Sequence, residues 1–187
     1  MNSRRIAIIV TLAGLSVATN YALISVPNVK LMDLIVFVSG FCFGPVVGAL
    51  TGIVPWTIYG TLNPQGFWLP VWFATMFSES IYGLVGALVR RSVNPGEFRG
   101  SVSWRFNLGI FFGFVSVFLT FVYDLITNIV WGYFTNSNVM FSVVFGFATF
   151  GIVHMISNAF FFGVGCVPAI NALLKVVRSE NFDVPKK

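Results

Sequence analysis

The chain has 187 residues, of which 57% are hydrophobic and only 9% charged, against about a quarter charged in an ordinary soluble domain, which argues against a water-soluble globular fold. The net charge of +5 would suggest a nucleic-acid partner in a soluble protein. Here the cations lie in the gaps between apolar runs, where they set orientation in a bilayer, so no nucleic acid is implied. The 22 Phe and 18 Gly suit helices packed in lipid, where glycine lets backbones approach closely.

In chain order, Arg4-Arg5 precede an apolar run to Val26 that is too long for a signal peptide and lacks a small-x-small cleavage site. It reads as a retained first helix over about 4–26. Gly14, Ala18 and Ala22 fall four apart on it, a stripe that allows close helix contact in lipid, although ordinary Gly and Ala usage also produces such stripes. Pro27-Asn28-Val29-Lys30 closes this helix. The apolar stretch 31–60 is too long for one crossing, and Gly44-Pro45 divides it into helices over 31–44 and 45–60, with Pro45 suited to a helix start. The first of these is short, and its shortfall is expected to be irregular backbone covered by protein or a cavity.

A loop follows at Thr61–Gly66, then a fourth helix over 67–89 with Trp68 and Trp72 at one end and Arg90-Arg91 at the other. The polar interval Arg90–Arg105 leads to a fifth helix over 105–134, and Thr135–Asn138 to a sixth over 139–167. An amphipathic tail over 168–187 is expected beyond Pro168. Ten of the eleven cations sit in three clusters: the N-terminus, the central interval and the C-terminal tail. Positive residues favour the cytoplasmic side, so even numbers of crossings must separate the clusters. Six helices satisfy this and five do not. The expected fold is therefore a single-domain, all-α membrane protein with six transmembrane helices and both termini cytoplasmic.

Chemistry is sparse. Asp33, Glu79 and Asp124 sit in or at the edge of spans, and His154 is the single histidine. Such groups cost about 2.5–3.5 kcal/mol at mid-helix on insertion scales, so each is a candidate for contact with a ligand or pathway, or else a hydrogen bond within the bundle. Glu79, eleven residues before Arg90, lies about 16 Å deep at ~1.5 Å per residue. Asp124 with Asn128, and His154 with Asn158, are spaced to share a helix face. HExxH, GxSxG and Walker patterns are missing, so an enzyme or a self-contained ATPase is not indicated. Cys42 and Cys166 have no Cys or His at ligand spacing and read as small buried hydrophobes, with neither a metal nor a cofactor implied. Asn28, Asn63, Gln65 and Asn136, with Trp68, Trp72, Tyr123 and Trp131, gather at the loops and helix ends away from the basic clusters. Aromatic walls with a few polar groups fit a small-molecule pocket, or equally an interfacial aromatic belt.

The run Pro27 to Asp33, the segment Ser39-Gly40-Phe41-Cys42-Phe43-Gly44-Pro45-Val46-Val47-Gly48-Ala49-Leu50, and the loop Asn63-Pro64-Gln65-Gly66 carry a resemblance. With the small-residue stripe and six short-looped helices, the chain resembles the substrate-specific S component of an energy-coupling factor (ECF) transporter. That resemblance implies a vitamin or vitamin precursor captured from outside at a prokaryotic cell membrane. It also implies delivery through a transmembrane T component with two cytoplasmic ATPases, on which the S component docks and topples. The docking stripe would be Gly14, Ala18 and Ala22. Substrate contacts would come from Asn28, Lys30, Asp33, Asn63, Gln65, Trp68, Trp72, Glu79, Tyr123, Asp124, Asn128, Trp131, His154 and Asn158. Lys30 would meet a carboxylate or phosphate, and Glu79 or Asp124 a ring nitrogen or amine. Cobalt and nickel members carry His after the initiator Met, whereas Asn2 stands here, which points to an organic substrate. The layout of the first 70 residues is most similar to uncharacterised and cobalamin-type members. The competing reading is a stand-alone small carrier or structural membrane protein without an ATPase partner.

Overall fold

A computed structural model describes residues 1–62, 66–93, 98 and 100–179. Helix α1 spans Ser3–Ala22, α2 Met32–Phe43, α3 Pro45–Leu62, α4 Leu69–Ser92 and α5 Val102–Phe134. A sixth rod follows end to end: α6 (Val139–Gly146), a π-helical turn (Phe147–Gly151) and α7 (Ile152–Ser179). There is no strand among the described residues. Five of the rods are long and apolar enough to cross a membrane, and α2 is the shorter exception.

The first helix shows how the pattern works. Asn2 caps it, its side chain accepting from the Arg5 amide at 3.1 Å. Ile9, Ala13, Ser16 and Asn20 are buried at helical spacing, while Gly14, Ala18 and Ala22 are exposed on the other side. The small-residue stripe is thus free of intramolecular packing.

At 12 residues, α2 covers only about 18 Å at ~1.5 Å per residue, little more than half of a ~30 Å hydrocarbon core. It runs from the middle of the bundle to the end where Arg90 lies. There the Arg90 guanidinium donates to the carbonyl oxygens of Phe41 and Cys42 at 2.8 and 3.1 Å, a cation closing the negative end of a helix dipole. Gly44 then takes φ 96°, a left-handed turn that glycine adopts without strain, and Pro45 opens α3. The backbone needed to complete the crossing is the irregular segment 23–31, which carries Lys30 into the bundle, where it is buried.

Near the same basic end α2, α3 and α4 meet through glycine. A Cβ on Gly40 would strike the Gly83 backbone, one on Gly48 would strike Gly40 and Gly83, and one on Gly86 would strike the Phe37 carbonyl. In lipid, where no hydrophobic force joins helices, backbone contact of this closeness supplies the dispersion and polar attraction that holds them. Gly109 makes the corresponding contact with Gly163, between α5 and α7.

Two expectations are corrected. The last helix does not stop near Pro168; α7 runs through it to Ser179. The reason is that Phe162, Cys166, Ile170 and Leu174 form one buried stripe four apart, and Asn171 donates to the Phe98 carbonyl at 3.1 Å, so packing on both sides of the proline outweighs its missing N–H. Residues 168–179 of the expected tail continue the membrane helix, and 180–187 lie outside the described residues. Secondly, the sixth rod is not a uniform helix, since the π turn interrupts it.

Candidate ligand-binding cavity

At the end opposite Arg90 the rods splay around a cavity of about 410 Å³, within the ~300–1,000 Å³ range of small-molecule sites. Its wall comes from the end of α1 (Asn20), the 23–31 segment (Leu23, Asn28, Lys30), α3 (Trp56, Tyr59), α4 (Thr75), α5 (Tyr123, Asp124, Thr127, Asn128, Trp131) and the sixth rod (Gly146, Phe150). A groove of about 520 Å³ on the flank between α4 and α5 is lined by Leu69, Phe73, Phe77, Ile126 and Phe134. It offers acyl chains a surface but almost no polar chemistry.

Beneath the cavity lies a buried polar network joining every rod from the second onward. His154 bridges two carboxyls: Nε2 is 2.7 Å from Asp33 Oδ2 and Nδ1 is 3.0 Å from Asp124 Oδ1. Asn158 Nδ2 donates to the same Asp33 oxygen at 2.6 Å and to Thr120 Oγ1 at 2.8 Å, and the Tyr82 hydroxyl donates to Thr120 at 2.9 Å. Trp56 Nε1 donates to Glu79 Oε2 at 3.3 Å. A histidine facing acceptors on both nitrogens satisfies them by carrying both ring protons. Three oxygens of the network, Asp33 Oδ1, Glu79 Oε1 and Asn158 Oδ1, are buried without a hydrogen-bond partner.

Local structure explains these placements. Asp33 lies in the first turn of α2, where the helix dipole favours an anion. The π turn, with Phe150 on the cavity wall, adds a residue just ahead of His154; such insertions are frequent at functional sites. Gly146 leaves room for the Asn128 amide, which a Cβ there would strike.

Of the fourteen residues expected to contact substrate, Asn28, Lys30, Tyr123, Asp124, Asn128 and Trp131 line the cavity. Asn28 also has a backbone role, since it adopts φ 57° in the descending segment, a conformation asparagine tolerates. Asp33, Glu79, His154 and Asn158 lie in the network below. Trp68 and Trp72 do not line the cavity. Trp72 Nε1 donates to the Trp56 carbonyl at 2.7 Å and locks α4 to α3, while Trp68 packs edge-on against Trp131 with centroids 5.3 Å apart. Asn63 and Gln65 lie outside the described residues. Sequence reasoning missed Asn20, Trp56, Tyr59 and Thr127. Asn20 carried a readable signal, an amide inside the first span, four residues past Ser16 and on the face opposite the Gly14 stripe. Cys42 and Cys166 are free and buried, and no His, Cys, Asp or Glu cluster with metal-holding geometry occurs among the described residues.

The described residues form a bundle of helices, five of them long and apolar enough to cross a membrane, with a polar-floored cavity at one end. The family model described as "ECF transporter, substrate-specific component" matches residues 4–165, and the chain belongs to that family. Membership implies the transport role and, in general, a T component and ATPases as partners. No curated protein and no solved structure matches the chain.

Proposed function

We propose that this protein captures an organic, vitamin-like molecule in the 410 Å³ cavity and delivers it through a T component driven by two ATPases. The observation that carries this reading is the coincidence of two separate surfaces: an aromatic, polar-floored cavity at one end, and an α1 face of Gly14, Ala18 and Ala22 that is exposed along its length. A stand-alone carrier would have no use for the second surface. The basic ends of α1, α4, α5 and α7 lie together, which supports cytoplasmic termini and an outward-facing cavity. The cavity lies toward the small end of the ~300–1,000 Å³ range of small-molecule sites, which favours a single vitamin or precursor over the much larger corrinoid.

Co-purification tests the reading. Tagged protein should bring down a T component and two ATPases. Gly14→Leu with Ala18→Leu should abolish that capture while leaving thermal melting in detergent unchanged. Failure of the unmodified chain to capture these subunits would return the stand-alone carrier to first place.

A further inference from the structure

Resting on that reading, we infer that the ligand is a flat, nitrogen-bearing carboxylic acid whose carboxylate sits on Lys30 and whose N–H group faces Asn20 and Asp124. Lys30 is only 7% exposed, and it lines the cavity. Its ammonium lies 4.5 Å from the Tyr123 ring centre and 5.5 Å from that of Trp56, and it makes no hydrogen bond or ion pair among the described residues. A buried ammonium satisfied only by ring faces retains unused donors, and leaving such a donor without an acceptor is costly. The acceptors nearest in charge terms are Asp33, Glu79 and Asp124. None of the three hydrogen-bonds the ammonium: Asp33 Oδ2 and Asp124 Oδ1 face His154, Glu79 Oε2 accepts from Trp56, and Asp33 Oδ1 and Glu79 Oε1 have no partner. The donors of Lys30 stand free in the cavity wall, where a ligand can meet them.

A buried acceptor in the same wall sets the second half of the ligand. A matching orphan exists: Asn20 Oδ1 is buried with no partner, and Asn20 lines the same cavity with Asp124. Between these two poles the walls are aromatic (Trp56, Tyr59, Tyr123), which suits a planar ring.

The test uses the full chain in detergent micelles, following the fluorescence of the cavity tryptophans. Amino- and N-heterocyclic carboxylic acids, such as para-aminobenzoate and indole-acetate, are titrated beside their own carboxamides. Small molecules extracted from the purified protein are identified by mass spectrometry. At least one acid should bind about tenfold to a hundredfold more tightly than its amide, the span expected for a charge-assisted hydrogen bond. Lys30→Met should erase that gap, and Lys30→Arg should keep it. Amides binding as tightly as their acids, no acid in the panel binding, or an extracted compound without an anionic group would each overturn the inference. The acid–amide comparison on the unmodified chain decides even where Lys30→Met fails to fold. Capture of the T component is a separate readout, so its persistence alongside a lost acid preference would sink this inference and leave the transporter reading standing.

Discussion

Asp33 and Glu79 both lie in the network under the cavity, yet their surroundings differ in a way that substitution can expose. Asp33 Oδ2 accepts from both His154 and Asn158, so Asp33→Ala strands two buried donors and should cost about 3–5 kcal/mol, the range for removing one partner of a buried pair. Glu79→Gln retains an oxygen for Trp56, the hydrogen-bond partner of Glu79 in the network, and strands no donor, so it should change stability by less than about 1 kcal/mol. Thermal unfolding in one detergent, with both variants side by side, checks the pair; equal losses would contradict this difference in partners. The four ionisable network members were legible in the sequence because a charge inside an apolar run is conspicuous. Their partners Tyr82 and Thr120 were not, because a tyrosine or threonine in a membrane helix is ordinary and only the fold shows what its hydroxyl meets. Trp72 illustrates the opposite error. It looks like an interfacial anchor, but its indole is spent on the Trp56 carbonyl.

For the helices, the glycine contacts carry more of the architecture than any side chain. Gly83→Leu would place a bulky group where α3 backbone lies against α4, and α4 cannot move away without pulling Arg90 from the end of α2. The expected result is loss of the folded, monodisperse species on size exclusion, whereas the exposed Leu84→Ala next to it should elute unchanged. The Gly44-Pro45 division and the shortness of α2 were readable, since turn chemistry and length are local properties. The continuation of α7 past Pro168 was not. Proline signals an ending, and what overrides it is the buried stripe from Phe162 to Leu174 meeting partners remote in sequence. The π turn left no trace in composition at all, because one extra residue in a helical turn changes register without changing residue type.

Taken as a whole, the molecule has one basic end and one cavity end. The arrangement predicts a sidedness that chemistry in intact cells can read. A membrane-impermeant maleimide should label cysteine placed at Ser137 and not at Ser103, both of which are exposed, and the native Cys42 and Cys166 are buried and should stay silent. Labelling of Ser103→Cys from outside would invert the topology. Among the described residues, Arg4, Arg5, Arg90, Arg91, Arg105 and Lys175 stand at helix ends of the basic side, as the loop pattern suggested. Lys30 is the exception and lies in the cavity wall.

The glycine contacts have a mechanical meaning as well. Below the polar network, backbone lies on backbone at Gly40, Gly48 and Gly83 on one side and at Gly109 and Gly163 on the other. Packing of that kind has no side chain to swing aside and no slack to open a passage. We propose that a floor of this kind keeps the cavity shut toward the basic end, so that its contents leave by the opening through which they entered.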